Sequence, residues 1–259
     1  MKISTFSATT LPDLWFQLLY ALLKGEDAGK SVYAIDSGSY VGQKRIEFDY
    51  AVMQVLHPGA EPLIPDVPAH LGIPGPVESM EYVHHYAARY LLSDRRAANE
   101  TYTYGSWLAR GLDRVREQLR RGRGTNQAAV SIGGWLPVER ADGRTEWIDT
   151  DDFVDPATGE RDPACLRLVD FRLDRETALH LIVYFRSWDL WGGLPANLAG
   201  LQIVKAMLAD EIGARDGTIV ASSKGLHLYD HAFQVAARRV GMEPTVDLDG
   251  FTRFVEGRR

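Results

Sequence analysis

Arg186-Ser187-Trp188-Asp189-Leu190-Trp191-Gly192-Gly193-Leu194-Pro195-Ala196-Asn197 follows directly on an apolar run, Ala178 to Phe185. The run has the length and composition of a buried strand, so Arg186 is expected at a strand end. A guanidinium grips phosphate or carboxylate in two-pronged fashion, and an asparagine amide offers one donor group and one acceptor to a flat heterocycle. With a carboxylate and two glycines between them, these groups form the kind of set that a nucleotide site would use.

Outward from this stretch the pattern continues on both sides. Downstream, Leu198, Leu201, Ile203, Val204, Met207, Leu208 and Ile212 predict a largely buried helix closed by Gly213. Thr218 to Ala221 then reads as a strand, and His227-Leu228-Tyr229 leads into a helix that stops before Gly241. Upstream, Cys165 to Phe171 pairs with Ala178 to Phe185 as a hairpin around Asp174-Arg175-Glu176-Thr177.

In the first half, Thr10-Leu11-Pro12-Asp13 followed by Leu14, Trp15, Leu18, Leu19, Leu22 and Leu23 predicts a capped helix ending at Gly25. Lys30 to Ile35 and Arg45 to His57 read as strands joined through a glycine-bearing loop that includes Asp36-Ser37-Gly38-Ser39. Five prolines between Glu61 and Pro76 make an extended connector. Helices are predicted over Glu78 to Leu92 and Ser106 to Arg120, and a short strand over Ala128 to Ile132. Strands interrupted by long helices without regular alternation point to an α+β fold, a mixed β-sheet packed with long helices, in one domain over residues 1–259.

Composition narrows the function classes. The 259 residues, 45% hydrophobic and 25% charged, are enough to bury a full core. A net charge of −6 argues against a broad nucleic-acid footprint, and the basic run Arg120-Arg121-Gly122-Arg123 is local. No stretch reaches the roughly 18 apolar residues of a membrane span, and the Met1-Lys2-Ile3-Ser4 start lacks a signal-peptide pattern, so a cytoplasmic location is expected. The single cysteine, Cys165, rules out an intrachain disulfide and a cysteine-based zinc site, and no metal is expected. It reads either as a small buried hydrophobe or as a nucleophile.

In chain order, Pro163-Ala164-Cys165, Arg186-Ser187-Trp188-Asp189, Gly192 to Asn197 and His227-Leu228-Tyr229 resemble the catalytic half of the thymidylate synthases and the related pyrimidine nucleotide hydroxymethylases. Tyr104-Gly105 with Trp107 resembles a further element of that family, and the first half is similar to its short, divergent branch. The resemblance implies a homodimer that binds a pyrimidine nucleoside monophosphate and uses 5,10-methylenetetrahydrofolate as co-substrate.

By the same resemblance, Cys165 adds to ring carbon 6, with Arg186 holding it as thiolate and, together with Ser187, holding the substrate phosphate. A guanidinium beside a thiol favours the anion, whereas a thiol alone is mostly protonated at neutral pH. Asn197 contacts the base, and His227 and Tyr229 contact the sugar hydroxyl. Asp189, Gly193 and Trp107 border the folate, where Trp188 or Trp191 supplies apolar surface, and Tyr104 lies near the reacting ring. Glu81 is the implied proton shuttle, with Glu78 as its rival. An asparagine rather than an aspartate at position 197 favours uracil, whose ring nitrogen donates and whose O4 accepts. The bland alternative for Asn197 is a helix N-cap before Leu198.

The chain departs from the family's pattern at three places. Paired arginines expected from the partner subunit are replaced by Thr125-Asn126-Gln127, and the early loop carries no arginine at Asp36-Ser37-Gly38-Ser39. Arg121 and Arg123, with Lys44 or Arg45, are the substitutes at hand. The C-terminal residues also differ from the family's closing apolar tail, so both methyl transfer and hydroxymethyl transfer fit. Other classes weighed are a cysteine hydrolase built on Cys165 and His227 and a non-catalytic nucleotide-binding protein.

Overall fold

The computed structural model describes residues 1–25, 29–36, 40–97, 100–122, 124–149, 159, 161, 163–242 and 247–256. Its first half runs through strand β1 (Ile3–Ala8), helix α1 (Leu11–Lys24), strands β2 (Lys30–Ala34), β3 (Lys44–Phe48) and β4 (Tyr50–Val55), helix α2 (Met80–Tyr86) and helix α3 (Gly105–Arg121). The second half holds strands β5 (Ala129–Ser131), β6 (Trp135–Glu139), β7 (Thr145–Asp149), β8 (Leu166–Leu173), β9 (Ala178–Phe185) and β10 (Trp188–Asp189). Helix α4 (Gly193–Glu211), strands β11 (Arg215–Ser223) and β12 (Leu226–Tyr229), and helices α5 (Asp230–Arg239) and α6 (Leu248–Glu256) complete it.

Helix α1 forms where the sequence predicts it. The Thr10 hydroxyl accepts the Asp13 N–H at 3.3 Å, Pro12 sits in the first turn, and Gly25 ends the helix by donating to the carbonyls of Tyr20 and Ala21. Its apolar face, Leu11, Leu14, Trp15, Leu18, Leu19, Leu22 and Leu23, is buried. Truncating a residue such as Leu18 to alanine would cost about 2–5 kcal/mol. Helix α4 is buried on nearly every side, which explains its continuous apolar composition; it packs against α1, α2, β9, β10 and β11.

The fold is α+β. A six-stranded mixed sheet runs β1-β4-β11-β9-β8-β5, and a four-stranded sheet runs β10-β12-β3-β2. The strand predicted over Arg45 to His57 is in fact two strands in different sheets, broken at Asp49. The reason is visible in the burial parity: Ile46 and Phe48 point inward from β3, then Ala51, Met53 and Val55 from β4, so the inward set shifts from even to odd positions. Asp49 secures the break by accepting the Lys2 N–H at 2.9 Å and donating its own N–H to Gly29.

The two sheets meet at the end of β9. Phe185, its last residue, stacks on Trp188, the first residue of β10, with ring centres 3.9 Å apart and planes 10° from parallel. Trp188 N–H also donates to the Gly225 carbonyl at 2.8 Å, tying β10 to the start of β12. The residues of the predicted site gather at this junction.

Candidate active site

Cys165 immediately precedes β8, opposite Arg186, which immediately follows β9. The Arg186 N–H donates to the Cys165 carbonyl at 2.8 Å, closing the hairpin ladder. The Arg186 side chain folds back on the loop before the cysteine: Nε lies 3.2 Å from the carbonyl oxygens of Pro163 and Ala164, and Nη2 also donates to Pro163. The guanidinium therefore clamps the backbone that carries the thiol. Cys165 itself is half-buried, not sealed among aliphatic side chains.

Tyrosines surround that position. The Tyr104 hydroxyl accepts the Leu166 N–H at 3.3 Å, one residue from Cys165. Burial holds its pKa well above the ordinary value, with proximity to Cys165 acting in the same direction, so the phenol keeps its proton. Tyr90 meets Tyr104 edge-on at 5.1 Å and stacks with Tyr86 at 5.6 Å. Burial likewise raises the Tyr86 pKa strongly, and Cys165 is among the groups that act on it.

Asn197 is reached from α4. That helix begins at Gly193, so Asn197 lies in its second turn and the N-cap alternative is overturned. Capping falls to Asp189, whose carboxylate accepts the N–H groups of Trp191 at 3.1 Å, Gly192 at 3.0 Å and Gly193 at 2.8 Å. The Asn197 amide is held at both ends: Oδ1 accepts the Trp188 indole N–H at 2.9 Å, and Nδ2 donates to the Tyr86 hydroxyl at 2.8 Å.

On the opposite side, β12 presents His227 and Tyr229. Residues two apart on a strand share a face, and their rings meet edge-on at 4.4 Å. His227 Nδ1 lies 2.8 Å from the Gly225 carbonyl, which can only accept, so Nδ1 carries the proton and Nε2 is left as an acceptor. That Nε2 is buried and has no hydrogen-bond partner among the described residues. Burial lowers the His227 pKa and keeps the ring neutral. Tyr229 is pushed up to about 12, chiefly by burial, then by Asp189, Tyr40 and Cys165. Across the antiparallel pairing, His227 faces Glu47 and Tyr229 faces Arg45, and Arg45 Nε is ion-paired to Glu47 at 2.7 Å.

Thus Cys165, Tyr104, Arg186, Asn197, Asp189, His227 and Tyr229 occupy one junction, with half-buried Ser187 between Arg186 and Trp188. Gly193 is there through its N–H to Asp189. Trp107 is buried in the first turns of α3, its indole Nε1 without a hydrogen-bond partner among the described residues. Glu81 lies in the first turn of α2 and is exposed, as is Glu78, so neither is packed into the junction. Arg121 ends α3 at the opposite end from Tyr104, about 25 Å along the helix, its side chain 66% exposed and paired with Glu117. Arg123 and the loop residues Ser37, Gly38 and Ser39 lie outside the described residues.

Tyr86 was not singled out by sequence reasoning. Its signal is the spacing of Tyr82, Tyr86 and Tyr90, one helical stripe of aromatics, in a chain that also carries Tyr102 and Tyr104.

Residues 156–249 match a family model described as thymidylate synthase. The chain is 32% identical over 150 residues to a Methanosarcina barkeri protein named "Putative thymidylate synthase", covering 56% of this chain and 60% of that protein. Over this stretch the chain is similar to the thymidylate synthases, and it spans less than two thirds of the archaeal relatives it matches. It is also 30% identical over 82 residues to the thymidylate synthase of Zymomonas mobilis, covering 32% of this chain and 28% of that one. The match to the archaeal relatives spans 60% of their length. The fold is shared more widely than the sequence: the thermostable thymidylate synthase A of Bacillus subtilis superposes with a TM-score of 0.58 at 12% identity, over 92% of this chain and 90% of that one. The sequence matched by the family model contains the whole stretch from Cys165 to Tyr229.

Proposed function

We propose that this protein is a homodimeric enzyme that transfers a one-carbon unit from 5,10-methylenetetrahydrofolate to carbon 5 of a pyrimidine nucleoside monophosphate, converting dUMP to dTMP. The observation that carries this reading is the position of Cys165. It lies on a loop clamped by Arg186, next to Tyr104 and within electrostatic reach of Tyr86, which holds Asn197, and of Tyr229. A thiol at this position can serve a base beside Asn197 and a sugar beside Tyr229.

The chain's own residues account for the first steps. Cys165 as thiolate forms the S–C6 bond, the C5–C6 double-bond electrons move toward C5, and charge builds on O4. The Asn197 amide nitrogen faces that charge as a donor. Tyr104 and Tyr86 stay neutral at working pH and can orient water near carbon 5. His227 Nε2 accepts the sugar hydroxyl, which removes the cost of an unpaired buried acceptor, about 1–3 kcal/mol.

The residues also fit a folate. Three donors occupy the Asp189 carboxylate, which has roughly four acceptor positions, so one more donor can be received. The buried, unpartnered indole N–H of Trp107 is a second polar group suited to it. When bound, methylenetetrahydrofolate supplies the one-carbon unit and, for methyl transfer, the hydride.

A homodimer is supported by the outer face of the six-stranded sheet. Strand register sets Leu168, Tyr184, Ser222 and Val52 in one row and Asp170, Ile182, Val220 and Gln54 in the next, none of them buried. The other face carries Val169, Val183, Ala221 and Met53, all buried. Within one chain Arg121 is too remote to reach the junction, so a part for it in the site would need a second copy. We further propose that residues 1–259 form one catalytic domain.

The test is incubation with dUMP, dCMP and CMP, each with methylenetetrahydrofolate, and mass analysis of the product. A gain of one methyl group on dUMP is expected. A hydroxymethyl product would redirect the last step to water, and unchanged nucleotides in all three would refute the reading.

A further inference from the structure

We propose that Trp188 sets the base preference of the site by locking the Asn197 amide in one orientation, and that the base it selects is uracil. This rests on the proposed nucleotide reading. The two ends of a carboxamide have nearly the same shape, so an asparagine alone can turn over and present either order of donor and acceptor.

Here the turn is prevented. An indole N–H can only donate, so the amide atom 2.9 Å from Trp188 Nε1 must be the oxygen, and the nitrogen is thereby directed to Tyr86. Tyr86 could not enforce this by itself, because a hydroxyl both donates and accepts. Trp188 is in turn immobile: it is buried, stacked on Phe185, and bonded through its backbone to Gly225.

The direction of the lock follows from the elements. Trp188 stands on β10, which pairs with β12, the strand that carries His227 and Tyr229. Tyr86 comes from α2, which packs against α4. The amide oxygen is therefore bonded to the strand that adjoins the proposed sugar-holding strand, and the nitrogen to a helix. In a pyrimidine nucleotide, ring position 3 is nearer the sugar-bearing N1 than the substituent at position 4. Oxygen at position 3 and nitrogen at position 4 match the N3–H donor and O4 acceptor of uracil. Cytosine would set acceptor against acceptor and donor against donor. Each amide end keeps capacity for this second bond, one lone pair on Oδ1 and one N–H on Nδ2.

The experiment measures dUMP and dCMP dissociation constants by calorimetry for the wild type, Trp188→Phe and Tyr86→Phe. Wild type is expected to prefer dUMP. In Trp188→Phe the ring still stacks on Phe185 but the amide is released, so the preference should narrow by about tenfold or more. Tyr86→Phe should weaken both nucleotides alike and leave their ratio in place. A general packing defect would also lower both together. Should Trp188→Phe not fold, Trp188→His keeps a ring whose nitrogen can accept as well as donate, and the same narrowing is expected. Wild type that binds dUMP, with an unchanged ratio in the folded Trp188 variant, overturns the lock alone. Wild type that binds neither nucleotide overturns the functional reading and the lock together.

Discussion

The N–H of Arg186 donates to the carbonyl of Cys165 at 2.8 Å, so the two residues are neighbours through the last rung of a β-hairpin. The arginine then returns through its side chain to the two carbonyls before the cysteine. Charge-assisted bonds of this kind are among the stronger ones in proteins, and the planar fork of arginine serves two oxygens at once.

Arg186→Lys should accordingly keep the charge and lose the clamp. We expect the rate of Cys165 alkylation by iodoacetamide at neutral pH to fall several-fold, and kcat/KM for dUMP to fall by about a hundredfold or more, with little change in thermal stability. Wild-type alkylation kinetics in the variant would show that the clamp does not prepare the thiol.

Gly105 explains how Tyr104 is held. A Cβ at this position would stand 2.1 Å from the Ser93 carbonyl oxygen, a backbone atom that cannot swing away. Gly105→Ala should destabilise the protein by about 1–3 kcal/mol, the usual cost of forcing an extra methyl into a packed site. It should also lower activity, because the first turn of α3 displaces Tyr104 from the Leu166 N–H. Urea unfolding and steady-state kinetics check both.

His227 gives a pH dependence with a fixed sign. Its folded pKa lies below the unfolded value near 6.5 because burial disfavours the charged ring. As pH falls through and below that value the unfolded chain takes up the proton first, so the stability present above about pH 6.5 declines. His227→Phe should flatten the Tm profile in this window. It should also raise KM for the nucleotide by about tenfold while changing kcat less, because in the proposed reading the lost acceptor binds the sugar hydroxyl.

Much of this arrangement was legible in the chain. Helix α1 announced itself through Thr10, Pro12 and Gly25, and the β8–β9 hairpin through Asp174 to Thr177 between two apolar runs. Strand β1 was missed because Ile3-Ser4-Thr5-Phe6 alternates weakly: Ile3 is exposed and Ser4 is buried. The break at Asp49 was readable in the parity shift of the inward residues but hidden by the unbroken β-forming composition on both sides. The bond from Asn197 to Tyr86 spans 111 positions, and no local pattern encodes such a contact. Chain order alone points to Glu81, and the structure leaves it on the exposed side of α2.

The most direct measurement is intact-mass analysis of wild type and Cys165→Ser after incubation with 5-fluoro-dUMP and methylenetetrahydrofolate. A fluorine at carbon 5 stops turnover after the sulfur has added, so the account predicts a stable adduct on wild type, mapped to the Cys165 peptide, and none on the variant. No adduct on active, folded wild type, or an adduct that survives Cys165→Ser, would contradict it.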